Sequence, residues 1–326
     1  MSQTPIQYRS LGVSELQVSS VAMGCWPIAG MTSLEVNDQD SVSTLIAAAN
    51  AGVNFFDSAY GYGRNGESER LIARALGERR TEVVIATKGG IAWNTDGSRR
   101  LDGSEATLFQ QCEKSLERLG TDHIDLYYLH APDPKIPIEE SAGAIAKLID
   151  DGKVRYAGAS NCHLEQLEAF HAICPLTAIQ PHYNMLQREI EAEILPWAAR
   201  KAIGAVVYWP LLKGLLAGHL PRDFVFRPGD GRAKYPMFQG SEWERNQDLM
   251  DQLRQFARER HRSVAEIVVN WTLHQPGITS ALCGAKRPHQ IVESAQAMTF
   301  ELSPAEHQQI QQFLHQRGES ASRAAV

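Results

Sequence analysis

Cysteine is scarce and never paired. Cys25, Cys112, Cys162, Cys174 and Cys283 are odd in number, widely spaced and form no CxxC. That argues against a disulfide framework or a cysteine zinc site and for a reducing, cytoplasmic setting, and no metal is expected. No apolar run approaches the roughly 18 residues of a membrane span. The opening MSQTPIQYRS is polar and lacks an apolar core, so no signal peptide is expected. Positive charge is not in excess: 32 Lys and Arg stand against 38 Asp and Glu, a net charge of −6, with the basic residues scattered. A nucleic-acid footprint or a basic membrane patch is therefore not indicated. Rossmann-type nucleotide binding is not expected either. There is no low-complexity tract and no break in composition, which makes the 326 residues one domain. Only the tail RGESASRAAV, residues 317–326, is small and polar enough to expect disorder.

What is present is an ordinary globular composition, 43% hydrophobic and 21% charged, in which short apolar runs alternate with helical patterns. Strands are predicted over 18–24, 53–57, 82–88, 124–130, 154–160, 176–180, 204–209 and 279–284. Helices are predicted over 40–52, 67–76, 105–119, 138–151, 163–173, 189–201, 243–260, 264–274, 288–297 and 304–316. Strands alternating with helices imply βαβ units and a parallel sheet. The strands are apolar without clear alternation, as strands covered on both faces should be. Eight such units in about 300 residues is the count of a (β/α)8 TIM barrel; a doubly wound open sheet is the rival. IQYRSLGVSELQVSS reads as a β-hairpin that caps the barrel bottom, and the last two helices are extra to the eightfold count.

The stretch GVNFFDSAYGYG, Gly52 to Gly63, ends an apolar strand in a carboxylate followed by two phenols. In a barrel, chemistry sits at the C-terminal strand ends. Those ends carry Asp57, Lys88 and His130 on strands two, three and four in succession, with a tyrosine five residues past the aspartate. Taken alone, each has a plain structural reading: a helix cap, a solvated lysine, a satisfied core histidine. Together they form a proton-handling device. A tyrosine with a pKa near about 10 is a poor acid at neutral pH. A buried lysine beside it is expected to lower that pKa. Asp57 supplies the lysine's counter-charge, and His130 can orient a carbonyl oxygen by a hydrogen bond.

The later strand ends suggest a second ligand. Ser160, Asn161 and Gln180 can bracket a carboxamide, and Tyr208 can lay its ring on a flat heterocycle. Lys286 and Arg287 precede Pro288 at a helix start, where backbone N–H groups and two cations suit a phosphate. A carboxamide clamp, a stacking ring and a phosphate site describe a nicotinamide dinucleotide.

These segments resemble the aldo-keto reductase superfamily along nearly the whole chain. GVNFFDSAYGYG is similar to the family's D-[TS]-A-x-x-Y-G signature, which makes Tyr62, not Tyr60, the counterpart of the catalytic tyrosine. VVIATKGG resembles the lysine segment and holds Lys88. DHIDLYYLHAPD resembles the histidine segment and holds His130. GKVRYAGASN and AIQPHYNML resemble the segments with the carboxamide-binding Ser160, Asn161 and Gln180. VVYWPLLKGLLAG resembles the segment of the stacking Tyr208, with Trp209, Pro210, Leu211, Gly214 and Leu215 as further cofactor contacts. LCGAKRPHQIVES resembles the adenosine-phosphate segment, implicating Gly284, Lys286, Arg287, Gln290, Glu293 and Ser294. Gly24, Cys25 and Trp26 fall near the nicotinamide ribose.

The resemblance implies an NADP-dependent enzyme reducing aldehydes or ketones with NADPH, NADH being the lesser expectation. Tyr62 is then the proton donor, Lys88 and Asp57 tune it, and His130 orients the carbonyl. Trp26, Tyr60 and Trp93 are candidate walls of the substrate pocket. Three positions depart from the family pattern: Trp209 stands where serine is frequent, Gln290 where many members carry arginine, and Ser294 where asparagine is frequent. The long segment 221–241, with Arg222, Arg227, Arg232 and Lys234, is expected to fold over the cofactor phosphates. Two other readings stand beside reduction: Schiff-base chemistry at Lys88, and a cofactor-binding redox sensor or regulatory subunit with little turnover.

Overall fold

Eight short apolar strands pair side by side, all parallel, and the last closes on the first. The computed structural model describes residues 6, 8–30 and 36–321. In chain order the strands are β1 (Tyr8–Ser10), β2 (Gln17–Ser19), β3 (Val21–Gly24), β4 (Phe55–Asp57), β5 (Val84–Gly89), β6 (Ile91–Trp93), β7 (Arg99–Leu101), β8 (Ile124–Leu129), β9 (Val154–Ser160), β10 (Leu176–Gln180), β11 (Gly204–Tyr208) and β12 (Ile278–Gly284). The helices are α1 (Asp38–Asn50), α2 (Glu67–Leu76), α3 (Glu105–Leu119), α4 (Ile138–Asp150), α5 (Leu164–Ile173), α6 (Ile194–Arg200), α7 (Gly240–Glu259), α8 (Val264–Leu273), α9 (Pro288–Gln296) and α10 (Pro304–Arg317). The barrel runs β3, β4, β5, β8, β9, β10, β11, β12, with helices returning the chain along its outside. This is the expected (β/α)8 barrel, and the open-sheet rival falls with the closing β12–β3 ladder.

Side chains on each strand alternate between two apolar layers, as the pleat requires. Phe55, Ala86, Tyr128, Ala178, Val206 and Leu282 fill the barrel interior. Phe56, Ile85, Tyr127, Leu129, Ile179 and Val207 face the helices. The Tyr128 ring lies over Gly158, its register partner on the neighbouring β9, where a Cβ would overlap it, so β9 needs glycine there. The expected hairpin forms, β1 pairing antiparallel with β2. Its Leu11, Leu16 and Val18 join the interior layer and plug the barrel's lower end.

Three expectations need correction. The helix predicted over 189–201 is shorter: Pro196 has no N–H to give, so α6 starts at Ile194 with the proline in its first turn, after a separate 3-10 turn over Glu189–Glu191. A second hairpin, β6–β7, was not foreseen and stands above the barrel after β5. The tail is held as far as Ala321 rather than loose from 317. Arg317 is buried and donates to Asn246 (2.8 Å) and Glu242 (2.5 Å), Ser320 donates to the Leu186 carbonyl, and Gln187 donates to the Ala321 carbonyl at 3.2 Å. The tail has little apolar surface, but its polar groups find partners on α7 and on the loop after β10. Residues 322–326 lie outside the described part. Among the described residues no helix is long and apolar enough to cross a membrane.

Candidate active site

The same alternation that fills the barrel aims the site. Asp57, Lys88, His130, Ser160, Gln180 and Tyr208 each lie two residues beyond an interior position, Phe55, Ala86, Tyr128, Gly158, Ala178 and Val206. They therefore form the next layer up, at the upper rim. Gly24 and Gly284 complete that ring, in register with each other and with Asp57.

At its centre, the Lys88 ammonium donates to Asp57 Oδ1 at 2.5 Å and to the Ser58 carbonyl at 2.6 Å. Gln180 Nε2 donates to Asp57 Oδ2 at 2.7 Å. Burial pushes the Asp57 carboxyl up and the Lys88 ammonium down, and each opposes the shift in the other. With both oxygens of Asp57 and two of three lysine protons bonded, the pair is held as ions. Gln180 was expected to grip a carboxamide; its amide instead serves the carboxylate, which lies 123 residues away in sequence.

Tyr62 stands beside this pair. Its ring centroid is 5.0 Å from Lys88 Nζ, 4.8 Å from the Trp26 ring and 5.7 Å from the His130 ring, both rings edge-on. Short bonds set its loop: Ser58 N–H to Ala86 O (2.8 Å), Tyr60 N–H to Lys88 O (3.0 Å) and Tyr62 N–H to Ala59 O (3.0 Å). The phenol's pKa lies well above its usual value, first through burial and then through the nearby Asp57 charge. That reverses the expected lowering by Lys88: the lysine charge is already matched by Asp57, and desolvation prevails. Burial, then the charges of Lys88 and Arg99, push the His130 pKa well below its usual value, so the imidazole is neutral at pH 7. Its Nδ1 is buried and makes no hydrogen bond.

The remaining expected residues divide. Asn161, in the left-handed region at φ 59°, donates to the His130 carbonyl (2.9 Å) and accepts from the Tyr208 hydroxyl (2.7 Å), while Ser160 donates to the Gln180 carbonyl (2.8 Å). The turn after β11 has Trp209, Leu212, Lys213 and Gly214 all at positive φ, an irregular backbone of the kind that collects at ligand sites. Lys213 Nζ lies 3.5 Å from the Trp209 ring centroid and 4.4 Å from that of Tyr235. Pro210 and Leu215 are buried, Leu215 within the core, and Leu211 packs against it. Cys25 is buried, donates its N–H to the Asp57 carbonyl at 2.9 Å, and burial raises its thiol pKa. Gln290 Oε1 accepts from the N–H groups of Lys286 (2.8 Å) and Arg287 (3.2 Å), so it caps its own helix. Arg287 reaches Asp40 at 3.4 Å. Glu293 lies 3.6 Å from His219, and Ser294 is buried and bonds Cys283.

Two placements differ from expectation. The Tyr60 ring lies on the Arg118 guanidinium of α3, 4.4 Å away, rather than among the rings around Tyr62. Arg118 donates to Glu69 and to the Tyr60 carbonyl, both at 3.1 Å, and Glu69 accepts from Thr87 at 2.7 Å. This buried buttress fixes the loop from outside the barrel. In the 221–241 segment, Arg222 faces away and binds Glu244, Asp248 and Asp251 of α7. Arg232 pairs with Asp230 at 2.7 Å and reaches the Lys213 carbonyl at 3.5 Å, tying the segment to the turn after β11.

One rim residue was missed altogether. Arg99, on β7, lies over Trp26 and Trp93, its Cζ 5.0 and 5.5 Å from the ring centroids, and Trp93 is anchored by Nε1 to the Gly63 carbonyl at 3.2 Å. Asp96-Gly97 between two short runs is a hairpin turn signal that could have found it.

A comparison with known families decides the kinship: residues 20–315 match the aldo/keto reductase family. The chain belongs to the aldo-keto reductases. It is 35% identical to aldo-keto reductase YhdN of Bacillus subtilis over 312 residues, 95% of this chain and 94% of that one. It is 32% identical to the NADH-specific methylglyoxal reductase of Escherichia coli, covering 91% of this chain and 94% of that one. The solved glycerol dehydrogenase AKR11B4 of Gluconobacter oxydans superposes with a TM-score of 0.89 at 33% identity, covering 98% of both chains. This aldo-keto reductase is an NAD(P)H-dependent oxidoreductase that interconverts small carbonyl compounds and alcohols.

Proposed function

We propose that Tyr62 is the proton donor of carbonyl reduction, with Lys88 and Asp57 holding its electrostatics and His130 orienting the substrate oxygen. The observation that carries this is the buried Lys88–Asp57 pair, with the ammonium 5.0 Å from the Tyr62 ring and His130 edge-on to it. The raised pKa keeps the phenol protonated, as a donor must be. As negative charge develops on the substrate oxygen, Tyr62 gives up its proton, and the third lysine N–H is left to stabilise the phenolate. Neutral His130 offers one ring N–H to the same oxygen.

The residues of the later strands fit a nicotinamide dinucleotide, which supplies the hydride when bound. Asn161, whose amide N–H groups hold the His130 carbonyl and Ser160, keeps a second lone pair on its Oδ1 beside the half-buried Tyr208 ring, an acceptor for a carboxamide N–H next to a stacking surface. Lys286 and Arg287 at the start of α9, with the left-handed turn after β11, suit the phosphates. Gly24, Cys25 and Trp26 would line the ribose side. Segment 221–241 would close over the dinucleotide through Arg232 and Tyr235; removing it should speed cofactor release, and unchanged release would count against closure.

We assign NADPH as the preferred form on the strength of Lys286 and Arg287. The preference should be modest. Gln290 adds no charge and is spent on its helix cap, and Asp40 competes for Arg287. A partly exposed cation contributes up to about 1 kcal/mol, less than tenfold. The ratio of kcat/KM for NADPH and NADH measures it directly; a ratio favouring NADH overturns it. A cytoplasmic setting agrees with the free state of all five cysteines.

Tyr62→Phe tests the central assignment. Turnover followed at 340 nm should fall by about 10²–10⁴-fold, the usual contribution of acid–base catalysis, while cofactor binding by fluorescence titration persists. Near-native turnover would refute it.

A further inference from the structure

Arg99 sits two ring contacts from the phenol: 5.0 Å to Trp26, and Trp26 4.8 Å to Tyr62. Its charge is felt at both Tyr62 and His130. Among the described residues, no carboxylate pairs with it and no hydrogen bond engages it. The contrast with its neighbours is sharp. Arg100 binds Asp102 at 2.5 Å, and the one acid of the hairpin turn, Asp96, is engaged by Ser98, whose N–H and hydroxyl donate at 2.8 and 2.7 Å. A second cation stands on the same rim. Arg64, two residues past Tyr62, has its guanidinium against the hairpin turn; a Cβ on Gly97 would lie 2.6 Å from its Nη2. Arg64 likewise makes no ion pair among the described residues. In a chain of net charge −6, two arginines with no carboxylate partner among the described residues, at the mouth of the proposed site, create a local positive field.

Two tryptophans against the guanidinium do more than cover it. Cation–π contact and the Trp93–Gly63 bond restrain the side chain, so its N–H fork is positioned before any ligand arrives. Such a fork matches a carboxylate or phosphate in two-point fashion.

We infer that Arg99, assisted by Arg64, is a substrate-recognition site for an anionic group, so that the preferred carbonyl compounds carry a carboxylate or phosphate on the chain bearing the reacting C=O. This deepens the proposed function and rests on Tyr62 marking the reacting end.

The experiment compares matched pairs on the intact enzyme with saturating cofactor: succinic semialdehyde against butanal for a carboxylate, and glyceraldehyde 3-phosphate against glyceraldehyde for a phosphate. Wild type should favour the anionic member of at least one pair by about 10- to 100-fold in kcat/KM, the contribution of a charge-assisted hydrogen-bond pair, mostly through KM. Which pair shows the larger ratio distinguishes the two anions. In Arg99→Met that ratio should collapse toward one, and Arg99→Lys should restore part of it; thermal melting and cofactor titration verify that both variants are folded. A wild-type ratio near one in both pairs, or a preference that survives Arg99→Met, overturns the inference while leaving Tyr62 as donor. Absence of turnover with all four aldehydes would overturn both.

Discussion

Replacing Lys88 by methionine removes one half of a buried ion pair while nearly preserving side-chain volume. In the native site the ammonium bonds Asp57 Oδ1 and the Ser58 carbonyl, and Asp57 retains only Gln180 when the lysine is gone. A carboxylate this deeply buried with one amide partner will take up a proton. Protonating it at pH 7 costs the gap to an unfolded pKa of about 3.9, roughly three units at about 1.36 kcal/mol each, or close to 4 kcal/mol. Losing the desolvation of Lys88 offsets part of this, so the net loss should be about 3 kcal/mol, within the range for breaking buried pairs. The sign with pH follows. Asp57 in the variant has its folded pKa raised above the unfolded one, so the deficit is smallest near pH 4–5 and grows as pH rises. Urea unfolding of wild type, Lys88→Met and Asp57→Asn/Lys88→Met at pH 5 and pH 7 measures it. The double variant, with no charge left to bury, should recover most of the loss at pH 7. A single-variant deficit under about 1 kcal/mol, or one independent of pH, would show that the pair does not carry the stability assigned to it. Turnover should fall with it, by about 10²-fold or more, since the phenolate loses its cation.

Because the His130 pKa is lowered in the folded state, its contribution is intact above the unfolded value near about 6.5 and is lost as pH falls below it, at about 1.36 kcal/mol per unit. His130→Gln should flatten the decline in urea midpoint between pH 6.5 and 5, and parallel curves would refute this. The raised Tyr62 pKa predicts that reduction stays level through neutral pH while alcohol oxidation, which needs the phenolate, climbs in alkali; initial rates in both directions across pH check it. Gly66 opens α2 at φ 74°, and a Cβ there would overlap the Arg118 guanidinium. Gly66→Ala should cost about 1–3 kcal/mol in unfolding and lower kcat, because the Arg118–Glu69 buttress beneath the Tyr62 loop is displaced; an unaltered melting temperature would disprove the overlap.

The strands were legible because each is a short apolar run between turn residues, and the barrel ladder then needs only their number. β9 and β10 and the helices α2 and α3 coincide with expectation residue for residue. The polar strand ends were legible for a related reason: Asp57, Lys88 and His130 interrupt apolar runs at a fixed phase. What escaped depends on groups distant in sequence. Gln180 turns to Asp57 rather than outward because the barrel brings β10 opposite β4, and no local pattern records that. Tyr60 differs from Tyr62 only in the direction its loop aims it, set by Arg118 on α3. The Tyr62 shift depends on a balance between desolvation and a neighbouring charge already neutralised. Arg99 escaped because its own strand, β7, is only three residues long, exposed and mostly charged, without the apolar run that marks the barrel strands.

The two ends of the described chain leave the molecule at opposite poles. Tyr8 bonds the Gly52 carbonyl beneath the plugged floor, whereas Ser320 and Ala321 rest on Leu186 and Gln187, in the loop above β10. A tether or fusion partner joined ahead of Tyr8 would therefore hang from the underside and leave substrate traffic clear. The same cargo appended after Ala321 would emerge on the pole where that traffic enters, so immobilised preparations should be fixed by the front of the polypeptide.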